Sequence, residues 1–356
     1  MSYWIAYLSH TRLRDENDPE KSYSFVWEES KNGFNSEVDN HPTIFSKSSV
    51  FAPIELYHDM PLYLDIIRMI VKLNPDVIVM PFTPTGGEYE DDLIKILKSY
   101  HGIIIAITAA PSERAKKELP NLRGFVGPDE SEMGQLAAEG VIATHRPKHV
   151  LVPNDKPFHE GYRERILRIT DVALSYGVES VKEVFFEVDK QEEFLVEPES
   201  DTVIIGLGPK GTSFALKMRK KYPERIVGIS TMDMSDETQE AIDAKILYSV
   251  VQNPREQGVR AVQMAVDILE NKTSAAFIKK KCKLRIIGAI LLLINIQAYF
   301  LKQNTLQLQC VCSFIKSHFL ISPYFFSIKS AICGAISSWL TPSAPEKDGQ
   351  SLTSVK

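Results

Sequence analysis

Short apolar runs alternate with amphipathic stretches along residues 1–272. Residues 4–8, 76–80 and 103–107 are nearly continuous apolar runs, the pattern of strands buried on both faces. Residues 62–73 carry apolar side chains at Leu62, Ile66, Ile67, Ile70 and Val71, which is helical spacing. Residues 88–100 read as a further helix. Residues 9–22 read as a polar loop, and Tyr23, Phe25 and Trp27 as a weak helix or turn. Residues 32–49, rich in polar residues with Gly, Asn and Pro, read as an insertion. A second strand is expected at 52–57.

The alternation then restarts. Residues 123–126 form a short strand, and Asp129 is an N-cap for a helix reaching His145. Strand 149–152, helix 160–176 (broken by Gly177), strand-like 181–188, strand 201–206 and helix 213–221 follow. Next come strand 226–229, a short helix at 235–243, strand 246–251 and an amphipathic helix carrying Val259, Val262, Met264, Ala265, Val266 and Ile268. Strand and helix in alternation imply parallel sheets with helices on both faces. Two such blocks imply an α/β fold of two doubly wound parallel-sheet lobes joined by a hinge. Strand 226–229 leads into Ser230-Thr231-Met232-Asp233, and strand 246–251 into Gln252-Asn253-Pro254. Both polar ends fall where open α/β sheets place ligands.

Composition narrows the function. The formal net charge is −5. Only Glu346 and Asp348 are acidic after residue 275, against ten Lys and Arg, so residues 1–275 are strongly acidic. That argues against nucleic acid as a partner, since phosphate binding needs a basic face. All four cysteines (Cys282, Cys310, Cys312 and Cys333) lie after residue 275. The N-terminus, MSYWIAYLSH, has no basic region followed by an apolar core of signal length, so the chain as given is expected to be cytoplasmic. No Ser/His/Asp order, HExxH, phosphate-binding Walker loop or metal cluster is legible, and neither an enzyme nor a cofactor is expected.

The order of motifs resembles the type 1 periplasmic binding protein family, the ribose- and galactose-binding proteins. PDVIVMPF (75–82) is similar to the family's third-strand element. GFVGPDESEMGQLAAEG (124–140) resembles the segment opening the second lobe, and VIIGLGPKGTSFALK (203–217) a segment of one sugar-binding subgroup. The stretch from 225 to 272 resembles the family's end: Gly228 early in a strand, Asp233, then Gln252, Pro254 and Gly258. The resemblance covers about residues 4–272. It implies capture of a small sugar or polyol between the lobes, with hinge closure, for ABC-type transport or sensing. A membrane permease or a sensor would be the partner, and family members are normally periplasmic or extracellular.

Asp233 takes the position of the family's sugar-binding acid, and Gln252 that of its ligand-binding glutamine. The resemblance also implies an arginine early in the helix containing HEGYRERILRI (159–169). Arg163, Arg165 and Arg168 compete for the register, and Arg163 is assigned. His10 matches a polar position facing the cleft, and Phe25 and Trp27 match an aromatic pair. Thr83 follows the third strand. Sugars need such a mixture, because hydroxyls bond Asp, Gln and Arg while the C–H face stacks on an aromatic ring. Each residue also has a structural reading: a helix cap for Asp233, a satisfied amide for Gln252, a solvated face for Arg163, core for Trp27. Ala109, Ala110 and Gly208 replace polar residues of relatives, which speaks against ribose.

Three other readings compete. GLGPKG (206–211) has the glycine spacing of a dinucleotide fingerprint, but it comes late, Pro209 stiffens it, and no acid follows at the required distance. A repressor of the lactose-repressor type would need a helix-turn-helix before residue 4. A degenerate relative without a ligand, or one whose gene is misread near its end, would keep the fold alone. The expected division is a first lobe of 1–124 plus 253–275 and a second lobe of 125–252. Residues 276–356 form an atypical basic and apolar tail expected outside the fold, as a retained intron or shifted frame, a membrane anchor or an interaction tail. Residues 286–301 are apolar but shorter than the ~20 of a usual spanning helix.

Overall fold

The computed structural model describes residues 2–9, 25–51, 60–82 and 87–288, apart from 158, 196, 245, 274 and 275. Two sheets of six strands organise them. The first contains β1 (Tyr3–Leu8), β2 (Phe45–Phe51), β3 (Val77–Met80), β4 (Ile103–Ile107), β5 (Leu122–Pro128) and β11 (Ile278–Cys282), in the order β11-β5-β4-β3-β1-β2. Every pairing in it is parallel. The second contains β6 (His149–Asn154), β7 (Ser180–Phe185), β8 (Thr202–Gly206), β9 (Ile226–Met232), β10 (Leu247–Gln252) and β12 (Leu284–Gly288), in the order β12-β10-β9-β8-β6-β7. Only β12 runs antiparallel, against β10. The two orders are the same doubly wound topology, in which a crevice opens beyond the carboxyl ends of the strands.

Strand alternation distributes the core. Ile78, Met80, Ile104 and Ala106 face helices α2 (Met60–Leu73), α3 (Gly87–Lys98) and α4 (Glu113–Glu118). Val77, Val79, Ile105 and Ile107 face α1 (Phe25–Asp39) and α9 (Pro254–Leu269). All four residues of β3 are buried, which is why that segment reads as an uninterrupted apolar run. In the second lobe, α5 (Glu130–His145) and α6 (Glu160–Ser175) cover one face of the sheet. The other face takes α7 (Pro209–Lys221) and α8 (Asp236–Asp243). A 3₁₀ stretch, Val188–Phe194, precedes β8.

The chain passes between the sheets three times: from β5 into α5 at Asp129, from β10 into α9 at Asn253, and from β11 into β12 at Lys283. Strand β5 runs four residues beyond the expected boundary at 124, to Pro128, and pairs with β4 and β11.

Two expectations need correction. Residues 32–49 are not an insertion: they hold most of α1 and the start of β2. Gly33 misleads as a loop signal, since it and Gly258 let two helices touch. A Cβ at Gly33 would lie 2.0 Å from the Arg255 carbonyl oxygen, and one at Gly258 2.0 Å from that of Ser30. Strand β2, FSKSSVF, is an edge strand with most side chains exposed, so its sequence lacks an apolar run. The strand expected at 52–57 lies outside the described residues.

The second correction concerns the tail. Residues 278–288 complete both sheets. Ile278 to Cys282 pair with Gly124 to Pro128, and Leu284 to Gly288 pair with Gln252 to Tyr248. Lys279, Lys280 and Lys281 are exposed along β11, where charge on an edge strand prevents further pairing. Their composition hid the strand. Residues 289–356 lie outside the described residues, and among those described no helix is long and apolar enough to cross a membrane.

Candidate functional site

Strand β9 ends at Met232, and Asp233 turns the chain with φ 67°, a left-handed conformation that aspartate tolerates better than most residues. Its amide donates to the Val250 carbonyl (3.0 Å), and the Ser249 hydroxyl donates to its carbonyl oxygen (2.8 Å). The turn therefore fixes a carboxylate beyond the sheet, where only 7% of the residue is exposed.

Gln252, the last residue of β10, donates from Nε2 to Asp233 Oδ1 at 2.7 Å. Its own Oε1 accepts from Gln257 Nε2 at 2.7 Å, on the first turn of α9. Gln257 Oε1 accepts in turn from the Thr108 hydroxyl at 2.8 Å. Thr108 follows β4 with φ 64°, a strained value for a β-branched residue. Its amide is held by the Val126 carbonyl (2.9 Å). One directed chain of hydrogen bonds thus runs from the first lobe, through the second crossing, to Asp233.

On the other side of Asp233 stands Arg165. Its Nε donates to Glu130 Oε2 (2.5 Å), and its Nη1 donates to the Leu207 carbonyl. That same Nη1 lies 4.0 Å from Asp233 Oδ2, beyond hydrogen-bond reach. Two glycines bring Glu130 to Arg165. A Cβ at Gly134 would lie 2.5 Å from the Arg165 carbonyl oxygen, and one at Gly161 2.6 Å from the Glu130 carboxylate. Tyr162 lies with its ring centroid 5.3 Å from the Arg165 guanidinium carbon and 5.5 Å from Lys156 Nζ. Gly208 leaves room for the Tyr162 hydroxyl, which a Cβ there would meet at 2.4 Å.

The electrostatics follow from burial. Loss of water pushes the carboxyl of Asp233 above its ordinary range, while Arg165 and the Gln252 hydrogen bond pull it down. Glu130 is likewise raised by burial against the pull of Arg165, and the nearby Asp233 charge raises it further. Burial disfavours the Arg165 cation, but Glu130 and Asp233 outweigh that and hold it above its usual value. Burial, then the Lys156 and Arg165 charges, push His159 down to about 3, so it is neutral, and its Nδ1 accepts from the Tyr162 amide at the head of α6. The arrangement is polar and buried, with one Asp233 oxygen engaged by the Gln252 amide and the other 4.0 Å from the Arg165 guanidinium.

Asp233 and Gln252 are brought together. Arg163 is not brought to them. Its side chain is 71% exposed and lies 3.9 Å from Glu160, on the outer face of α6. Two residues along a helix is about 200°, so Arg165 is the arginine turned inward. Trp27 is buried in α1, at 5% exposure. His10, Thr83 and the side chain of Phe25 lie outside the described residues. Sequence reasoning missed Gln257, Thr108 and Glu130. Thr108 was visible as the one polar residue between a buried strand and Ala109-Ala110, and Gln257 as a glutamine beside a helix-contact glycine.

The glycines of GLGPKG also have a packing role. A Cβ at Gly206 would lie 2.9 Å from the Gly211 carbonyl carbon, so the pair lets α7 start hard against β8.

No family model and no curated protein sequence matches this chain. Solved structures do. A carbohydrate-transporter solute-binding protein from Agrobacterium radiobacter, in complex with D-arabinose, is 15% identical with a TM-score of 0.61, covering 81% of this chain and 94% of its own. GanP, a glucose-galactose binding protein from Geobacillus stearothermophilus, is 15% identical with a TM-score of 0.63, covering 81% and 98%. A solute-binding protein from Agrobacterium vitis with bound D-fucose is 15% identical with a TM-score of 0.62, covering 80% and 95%. With two parallel-dominated sheets of the same strand order and three crossings between them, this chain has the type I periplasmic binding protein fold, the fold of sugar ABC-transporter solute-binding proteins.

Proposed function

We propose that the cleft beside Asp233 binds a small neutral sugar or polyol, and that the lobes close on it. The observation that carries this reading is the hydrogen-bond chain from Thr108 through Gln257 and Gln252 to Asp233. It joins groups of both lobes to a buried carboxylate whose second oxygen remains 4.0 Å from Arg165. A ligand hydroxyl there gains a charge-assisted acceptor and, through Gln252, a connection to the first lobe. Contacts made to both lobes only when they approach are what favour closure. The sugars in the similar structures, D-arabinose and D-fucose, support the chemical class.

The role is capture, not catalysis. The closed form would be read by a membrane permease or by a sensor; a similar structure is the XylFII-LytSN complex. ABC-type import requires the protein outside the cytoplasmic membrane, so a cytoplasmic location on cell fractionation excludes transport and leaves sensing.

The test is a thermal-shift screen against pentoses, hexoses and polyols, followed by calorimetry of each hit. Asp233→Ala is expected to weaken a hit by ~2–5 kcal/mol, because it leaves buried partners unpaired. Unchanged affinity removes Asp233 from the site. A screen with no hit overturns the sugar reading and leaves a fold without this function.

A further inference from the structure

Helix α2 buries Tyr63, Leu64, Ile67 and Ile70 in the first lobe. A second apolar row runs along the same helix: Leu62, Ile66, Met69 and Leu73. Leu62, Met69 and Leu73 are 43%, 45% and 47% exposed, and Ile66 is half-buried. Steps of four, three and four residues are the seam spacing of a coiled coil. At 3.6 residues per turn this row sits about 120° around the helix from the buried one. Single exposed leucines are ordinary, whereas a continuous row marks a contact surface.

We propose that this row is the seam of a symmetric contact between two copies of the chain, α2 packing antiparallel against α2 about a two-fold axis. The spacing of the row reads the same from both ends. With Leu62 of one copy opposite Leu73 of the second, Ile66 falls opposite Met69, so one register satisfies all four layers. The charges select the same arrangement. Asp65 and Lys72 flank the row on one side, with Arg68 behind them. Antiparallel packing sets Asp65 of each copy beside Lys72 of the other, twice, as a two-fold interface requires. Parallel packing would bring that flank against the opposite one, and Tyr63 and Ile70 on that opposite flank are already buried in their own lobe. Within one copy Asp65 pairs with Arg68 at 2.5 Å, both exposed, and such surface pairs exchange partners at little cost.

A seam of one helix pair buries less than the ~800 Å² per partner of a standard interface, so the contact is a weak one, with Kd on the order of 10–100 μM. Sedimentation velocity of the full chain from about 1 μM to about 1 mM reads it directly. Dimer is expected to appear with concentration, and Met69→Glu to weaken it at least ~10-fold. Asp65→Lys and Lys72→Asp are each expected to weaken it about 3–10-fold, and the two together to restore it. Leu174→Glu, on α6 at a site 64% exposed, is the control and leaves the dimer unchanged. Monomer at every concentration overturns the proposal. So does a dimer indifferent to Met69→Glu, or a double charge exchange as weak as either single change. Should Met69→Glu fail to fold, the charge exchange decides alone.

Discussion

Gln252 donates its side-chain amide to Asp233 across 2.7 Å, joining the ends of two adjacent parallel strands. The carboxylate is held by a neutral donor, while the nearest cation, Arg165, is committed to Glu130. Asp233 is therefore a buried acid with incomplete compensation, a state that costs stability and suits binding.

That cost is measurable. Asp233→Asn keeps the shape and removes the charge, and is expected to leave the fold as stable at neutral pH or stabilise it by ~1–2 kcal/mol while weakening ligand binding. Urea unfolding at pH 7, set beside calorimetry, checks both.

The same group gives a pH dependence. Burial raises its folded pKa above the ordinary 3.8, so between those two values the native state holds more protons than the unfolded one. Stability from this carboxyl is then fully present below 3.8 and lost as pH rises through the raised value. The wild type is expected to gain on Asp233→Asn as pH is lowered toward 4, in urea midpoints taken at half-unit steps. A constant difference between the two proteins would show that Asp233 titrates normally.

Arg165→Met should be the most damaging change at the site. It leaves Glu130 and Asp233 as two uncompensated buried carboxyls and is expected to cost ~3–5 kcal/mol. Adding Glu130→Gln should recover part of the loss. Thermal unfolding of the single and double variants measures the coupling between them.

Gln257→Leu strips a partner from both Gln252 and Thr108. A loss of ~1–3 kcal/mol is expected, from two buried polar groups left unpaired. Gly258→Ala forces α1 and α9 apart, since its Cβ would meet a backbone oxygen at 2.0 Å, and a loss of ~2–4 kcal/mol is expected. Denaturant titration distinguishes both from a neutral surface change.

A chain ended at Gly288 is expected to unfold in one cooperative transition, and a chain ended at Ser274 to aggregate. The shorter chain lacks β11 and β12 and so uncovers the edges of β5 and β10. Light scattering and circular dichroism of the two chains compare them.

Where burial is symmetric, the sequence was legible. Strands β3 and β4, apolar on both faces, read as strands at once, and so did the polar ends of β9 and β10. Strands β2 and β11 did not, because an edge strand in water carries serines and lysines in place of an apolar pattern. Helix α1 was obscured by Gly33, whose role depends on a partner helix more than 220 residues away in sequence. At the site, Asp233 and Gln252 announced themselves by position. The choice between Arg163 and Arg165 needed the angular phase of α6, which a run of three nearby arginines does not give.

The late strands have a consequence for how this protein comes into being. Strand β11 closes the first sheet and β12 the second, and both lie within residues 278–288. Helix α9, which covers one face of the first sheet, is also made late. A ribosome that has synthesised the whole first block has therefore not yet made the parts that finish it. At about 5–20 residues per second, the first lobe waits on the order of ten seconds with one sheet edge open and one face covered by α1 alone. The two sheets are separate but reach completion together, so a chaperone would find its longest opportunity on the half that was made first.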